Sequence, residues 1–318
     1  MIALAGIVSA SLFYAQKSKK ADVAGMIKTV ENKSETVATF PVSGNKIKIL
    51  FVGDMMFDRW IRQVSEKRGG DFVFQKIEPL LKSEDLVVGN LEGPITDKTS
   101  VSVDSEFGSK ENYVFTFPPQ TAEELFKENI KLVNLGNNHI LNQGDDGLSN
   151  TKNYLQTSGV GFFGDPEEQS SRVKIFEAGG LKIAFINYNQ FVADAKQKTL
   201  DDINSAKTNK TDVIILYTHW GKEFIPMPEE KIKILAHEFV DAGADLIIGS
   251  HPHVIQTKEE HKGKMIYYSL GNFIFDQYFS PETQVGLGVE IQIDPMSKKI
   301  DFKEDNFTMT KSGQTILK

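Results

Sequence analysis

The apolar run Asp245-Leu246-Ile247-Ile248 stops at Gly249-Ser250 and delivers His251-Pro252-His253, two imidazoles spaced i, i+2. Val213-Ile214-Ile215-Leu216-Tyr217 ends in Thr218-His219, and Leu132-Val133-Asn134-Leu135 ends in Gly136-Asn137-Asn138-His139. Two earlier runs end in oxygen ligands: Ile49-Leu50-Phe51-Val52 in Gly53-Asp54-Met55-Met56, and Leu86-Val87-Val88 in Gly89-Asn90-Leu91-Glu92. Neutral imidazole with carboxylate or amide oxygen is the donor set of borderline divalent metals. One histidine after a strand is ordinarily a hydrogen-bonded structural residue, but the same ending on three apolar runs predicts a metal or phosphoester site. The alternative for Asp54 alone is a helix N-cap. His237, inside a helical stretch, and His261, in the charged loop over 258–262, read as structural or solvated.

These side chains converge only if the strand ends share one edge. Strands alternating with helical stretches predict an α/β fold with the site at the C-terminal edge, where open sheets place their ligands. Helices are expected near 74–82, from a capping box at Thr121-Ala122-Glu123-Glu124, over 148–157, in part of 193–212, and over 229–242, stopped by an αL cap at Gly243. Residues 173–177 and 181–187 read as a hairpin in a second sheet, 265–268 as a strand, and 288–293 with 300–302 as a closing pair. Pro252 should push His251 toward an extended backbone. The polar excursion over 96–119 is long enough to flank the site.

At 40% hydrophobic and 25% charged, the 318 residues suffice for one large core. A net charge of −7 excludes a general nucleic-acid binder, which needs a basic footprint. The absence of cysteine excludes thiolate ligands, disulfides and cysteine nucleophiles. Residues 1–15 carry no charge and read as an export or membrane-anchor segment. No basic residue precedes that segment, which suggests a shortened start or an inverted anchor, and the lack of a small-x-small cleavage site favours retention. Residues 16–45 read as a polar linker and 46–318 as the folded domain.

Taken in order, Gly53-Asp54-x-Met56, Gly89-Asn90-Leu91-Glu92, Asn137-Asn138-His139, His219-Trp220-Gly221-x-Glu223, His251-Pro252-His253 and Ser269-Leu270-Gly271-Asn272-Phe273 resemble the CapA-type capsule synthesis (poly-γ-glutamate biosynthesis) family, related to the calcineurin-like metallophosphoesterases. The resemblance covers about residues 46 to 305. It implies a four-layer αββα sandwich, two packed mixed β-sheets flanked by helices. It also implies an extracytoplasmic protein, membrane-anchored or secreted, whose partners are an anionic polymer or phosphoester substrate and a membrane synthesis or export complex.

Residue by residue, the resemblance implies Asp54, Asn138, His219, His251 and His253 as metal ligands, with Asn90 and Glu92 at a bridging position. His139 would assist the leaving group and Arg59 would hold an anionic group, while Glu223 would orient His219 and Asn272 would lie behind the ligands. Two positions depart from the metallophosphoesterase pattern: Met56 stands for a histidine, and Asn90 for the bridging aspartate. One well-held ion (Mn, Zn or Fe) is therefore expected instead of two, with Met56 pointing toward the vacated position, where histidine would add a ligand. The activity implied is metal-assisted hydrolysis or transfer. Two alternatives stay open: a noncatalytic polymer-binding component, and a metallophosphoesterase unrelated to capsule.

Overall fold

The computed structural model describes residues 38–318, so the predicted segment 1–15 and most of the predicted linker lie outside the described residues. Two sheets follow from the period-2 alternation of the apolar runs. One has the spatial order β15 (Thr315–Leu317), β14 (Ile300–Met309), β13 (Val285–Ile293), β2 (Ile47–Met55), β3 (Leu86–Leu91), β4 (Ile130–Asn134) and β5 (Gly161–Phe163), with β12 (Asn272–Ile274) also pairing β2. The other runs β1 (Ala38–Thr39), β6 (Val173–Ala178), β7 (Leu181–Asn189), β8 (Val213–His219), β9 (Leu246–Ser250), β11 (Lys264–Tyr267) and β10 (Lys258–His261). Both are mixed: β2 to β5 are mutually parallel and β13 is antiparallel to β2, while β7, β8, β9 and β11 are parallel beside the β6–β7 hairpin.

Alternation assigns each strand residue to a layer. Ile47, Ile49 and Phe51 of β2 meet Val213, Ile215 and Tyr217 of β8 in the core between the sheets. Leu50 and Val52 face the other way, against α1 (Arg59–Arg68), α2 (Glu78–Lys82), α3 (Thr121–Lys127) and α4 (Gly144–Ser158). Ile214 and Leu216 pack against α5 (Ala195–Thr208) and α6 (Glu230–Ala242). The layers are therefore α, β, β, α, as expected. Burying Phe51, Phe163 and Phe185 between the sheets stabilises the fold by roughly 1.5–3 kcal/mol for each ring.

Several local expectations are corrected. Thr121 opens α3 but its side chain caps nothing, and the residue ahead of the helix, Gln120, has helical dihedrals. Glu124 instead lies over Gly70, where a Cβ would meet Glu124 Oε1 at 1.5 Å. Helix α1 has no counterpart among the predicted helices, and the helix predicted over 74–82 shrinks to Glu78–Lys82. Gly243 ends α6 at φ 132°, outside the αL basin, with its N–H on Phe239 O and Val240 O. Lys258–His261, expected as a loop, is edge strand β10, whose charges suit an edge exposed to water. The packed chain also begins before Lys46, because β1 pairs with β6 and Phe40 is buried against Phe176.

Burial against the Gly70 turn pushes Glu124 up to about 7. A carboxyl raised above its unfolded value favours folding fully below about pH 4.5, and that contribution is lost as pH rises through 7. Glu124→Gln should leave stability near pH 4.5 unchanged and raise it by about 1–2 kcal/mol at pH 8, after discounting for partial exposure. Urea unfolding at the two pH values measures the difference.

Candidate metal centre

The inter-sheet layer changes chemistry along its strands while keeping its parity. Leu86 and Val88 are followed by Asn90, Leu132 by Asn134, Ile183 and Phe185 by Asn187, Ile215 and Tyr217 by His219, and Leu246 and Ile248 by Ser250. Tyr217 closes the apolar part, its hydroxyl donating to Val52 O across the sheets at 2.7 Å. Strand β2 joins this polar tier through an irregularity: two residues lie between Phe51 and Asp54, while one lies between their partners Val88 and Asn90. That extra residue re-aims the strand and sets Asp54 opposite Asn90. It is glycine of necessity, since a Cβ on Gly53 would stand 1.9 Å from Gly271 O. The close approach lets Asp54 N–H donate to Gly271 O at 3.0 Å and pairs Asn272 with Asp54.

Asp54, Glu92, His219, His251 and His253 converge there, all buried. Three overlapping groups could each hold an ion: Glu92–His219–His251, Asp54–Glu92–His253 and Glu223–His251–His253, with ligand atoms within 4.8 Å of one another. The first two groups differ in how far they are satisfied. Asp54 Oδ1 accepts from Asn90 Nδ2 at 2.8 Å, and Asp54 Oδ2 accepts from His251 N at 3.2 Å with His253 Nδ1 at 3.3 Å. His253 Nδ1 also donates to Asn272 Oδ1 at 2.9 Å, an orientation fixed because Asn272 Nδ2 donates to Gln277 Oε1 and Thr283 O. Within Glu92–His219–His251, by contrast, Glu92 Oε1 and His251 Nδ1 are buried without a hydrogen-bond partner.

His219 adds a third open acceptor. Ser250 Oγ gives its hydrogen to Thr218 O at 2.8 Å, so it accepts from His219 Nδ1–H at 3.0 Å. The lone pair is then on Nε2, which faces Asn138 Oδ1 at 2.8 Å. Burial holds His219 well below the usual histidine range, so it is neutral. His219 Nε2 and Asn138 Oδ1, beside Glu92 Oε1 and His251 Nδ1, form a donor set that fits a divalent cation.

Burial also lowers His251, to about 3, and His139, to about 4. His253 goes the other way: burial would deprotonate it, but the carboxylates of Glu92 and Asp54 more than offset that and hold it protonated. Burial and the Asp54 charge push Glu92 up to about 8, whereas Asp54, despite burial, is held low by His253 and Asn90. The backbone bears strain at the same place. His251 and His253 have φ of 95° and 58°, so Pro252 does not leave His251 extended; the His251 N–H turns toward Asp54 instead. Such conformations cost about 1–3 kcal/mol each and collect at functional sites.

The remaining predicted residues divide. His139 sits at the edge of the cluster, Nδ1 donating to Asn142 Oδ1 at 3.1 Å and Nε2 4.0 Å from Glu92 Oε1, with its ring against Phe115 of the polar excursion. Asn90 is present but turned: its amide nitrogen faces the carboxylates and its oxygen accepts from Asn134 and Asn137, so it offers no oxygen to an ion. Arg59 is not free to hold an anion, being paired with Asp276 and Asn112 behind the rings of Phe115 and Phe275. Glu223 joins His251 and His253 and is absent from the hydrogen-bond partners of His219, which are Ser250, Asn138 and, at 3.4 Å, Asn90. Met56 does not point into a vacated ligand position: its sulfur accepts from Asp58 N and the side chain belongs to the apolar cluster with Phe57 and Phe74. His237 and His261 stack on each other at 4.0 Å between ring centres, and pair with Glu259 and Asp241. Asn134, Asn187, Ser250 and Asn142 do not stand out in the sequence; unbroken parity along the runs is the signal that points to the first three.

A two-sheet α/β sandwich with a histidine and carboxylate cluster at the shared strand ends defines the class of this protein. Residues 48–277 match the bacterial capsule synthesis protein PGA_cap family, and the chain belongs to it. It is 32% identical over 266 residues to the PGA biosynthesis protein CapA of Bacillus subtilis (strain 168), covering 77% of this chain and 67% of that protein. It is 29% identical over 264 residues to the capsule biosynthesis protein CapA of Bacillus anthracis, covering 76% of this chain and 64% of that protein. A hypothetical protein from Thermus thermophilus shares the fold, with a TM-score of 0.50 at 15% identity over 81% of this chain and 98% of its own.

Because Met56 is core, Met56→His should add no ligand. The expected result is unchanged Mn²⁺ stoichiometry by titration calorimetry and a loss of about 2 kcal/mol in stability, from an imidazole in an apolar pocket.

Proposed function

We propose that this chain is an extracytoplasmic component of capsule polymer synthesis or export, with a single-ion hydrolase site working on an anionic polymer or its phosphoester precursor. The observation that carries this reading is the convergence of Glu92, His219 and His251, with ligand atoms within 4.8 Å of one another, where Glu92 Oε1 and His251 Nδ1 lack a hydrogen-bond partner and His219 Nε2 lies beside Asn138 Oδ1. The capsule assignment leans on the family and on the names of the two CapA relatives. The location leans on the charge-free residues 1–15; among the described residues no helix is long and apolar enough to cross a membrane.

Glu92, His219, His251 and Asn138 would hold the ion. When bound, a divalent cation supplies Lewis-acid polarisation of the electrophile and lowers the pKa of water. The rest falls to the chain. Ser250 fixes the His219 tautomer so that Nε2 faces the centre. His139, neutral and with its Nδ1–H engaged by Asn142, presents Nε2 as a proton acceptor. Water adds to the phosphorus or carbonyl carbon as its proton passes to His139 Nε2, and the same proton then goes to the departing oxygen or nitrogen as that bond breaks. With Arg59 closed off by Asp276, its guanidinium is not available to an anionic group.

Elemental analysis after purification and calorimetric titration should find about one Mn²⁺, Zn²⁺ or Fe²⁺ per chain, and Ser250→Ala should weaken the affinity about 10- to 100-fold by releasing the His219 tautomer. Failure of the wild-type chain to bind any of these ions would leave only the noncatalytic reading. His139→Ala should keep the ion and lower turnover of an activated phosphodiester or a γ-glutamyl oligomer by about 10²–10⁴-fold. A mutant as fast as wild type on the substrate that is turned over would remove His139 from the reaction.

A further inference from the structure

Asn90 occupies the centre of a chain of buried amides whose orientation is set from outside. Asn134 Oδ1 accepts from Gly136 N–H at 3.1 Å, a donor that cannot be reversed, so Asn134 Nδ2 must point to Asn90 Oδ1 at 3.0 Å. Asn137 is fixed in the same way. Its Oδ1 accepts from His139 N–H at 3.1 Å, and its Nδ2 donates to Leu91 O at 2.8 Å and to Asn90 Oδ1 at 3.1 Å. On the other sheet, Asn187 Nδ2 donates to Asn134 Oδ1 at 2.9 Å and reaches Gly136 O at 3.2 Å and Tyr217 O at 3.3 Å. With its oxygen saturated, Asn90 has only its NH₂ to offer the cluster, and it gives it to Asp54 Oδ1 at 2.8 Å and Glu92 Oε2 at 3.2 Å.

We propose that Asn187, Asn134 and Asn137 are positioning residues that lock Asn90 as a donor, so that its amide joins Asp54 to Glu92, closes that side of the cluster to a cation and directs the ion to Glu92, His219 and His251. The inference deepens the single-ion reading above and rests on it for the ion. An unlocked Asn90 could turn its oxygen inward and add a third buried oxygen beside Asp54 and Glu92, where a second cation could be held. The side-chain hydrogen bonds of Asn134 and Asn187 run to Asn90, Gly136, Tyr217 and each other, so their effect on the ion passes through Asn90. Asn134 is fully buried, as are Asn90, Asp54 and Glu92, which keeps bulk water from competing as a donor.

Two measurements on the full chain test this. In metal-free protein, the Asn90 side-chain amide protons should exchange with solvent slowly by NMR, and Asn134→Ala should speed that exchange at least about 10-fold. Titration with Mn²⁺ should then find about one ion in wild type and about two in Asn90→Asp, whose metal-free melting temperature falls by about 5 °C and recovers with Mn²⁺. Freely exchanging Asn90 protons in wild type overturn the lock, as does an Asn90→Asp chain that binds as many ions as wild type with an unchanged metal-free melting temperature. Protected Asn90 protons in a wild-type chain that takes up no Mn²⁺ would instead sink the single-ion reading and the steering role, while the lock itself would stand. If Asn90→Asp does not fold, exchange in wild type and Asn134→Ala decides.

Discussion

Two carboxylates, Asp54 and Glu92, lie together at the ends of β2 and β3 with no solvent exposure. Keeping both ionised away from water would be among the costlier arrangements a fold can hold, which is why Glu92 is pushed up to about 8 and why donors and a cation surround and compensate the pair. Much of the surrounding structure is that compensation. Asn90 links the pair through its amide, His253 stands protonated within 3.3 Å of Asp54 and 3.4 Å of Glu92, and the His251 N–H turns onto Asp54 at the expense of a positive φ. What stays without a hydrogen-bond partner is Glu92 Oε1, which lies 3.4 Å from His253 Nε2 and 4.0 Å from neutral His139.

The four imidazoles of the cluster are thereby sorted by environment. His139, His219 and His251 are driven neutral by burial, whereas His253 is kept charged by the carboxylates on either side. Only neutral imidazole can ligate, so the same burial that would destabilise a charged histidine prepares His219 and His251 to hold an ion. Their tautomers are set by uncharged neighbours: Ser250 behind His219, and Asn142 behind His139.

None of this would hold on a looser scaffold. The cluster takes residues from β2, β3, β8 and the turn after β9, in both sheets, and its spacing is the spacing between the sheets. Tyr217 ties β8 to the backbone of β2 one layer beneath, and Gly53 permits the approach of the Gly271 segment that carries Asn272 to His253. Rigid sheets and a dry layer beneath keep the polar tier in one arrangement, which is what ligand geometry requires.

The sequence by itself determined the α/β class, the order of the strand-end motifs, the family, and which residues would meet: Asp54, Glu92, His219, His251 and His253 were all visible as the polar ends of apolar runs. Alternation carried that information, because residue type and parity along a strand fix a side chain's face before any partner is known. Tertiary structure alone decided how the groups are used. Asn90 reads as a ligand until Asn134 and Asn137 turn its oxygen away, and Arg59 as an anion holder until Asp276, more than two hundred residues on, takes its charge. Met56 reads as a displaced ligand until its sulfur is found in the core, and Glu223 as the support of His219 until it is found beside His251 and His253. Each correction concerns where a side chain points or what takes up its donors and charge. Those depend on partners brought from distant strands, and spacing along one chain does not encode them.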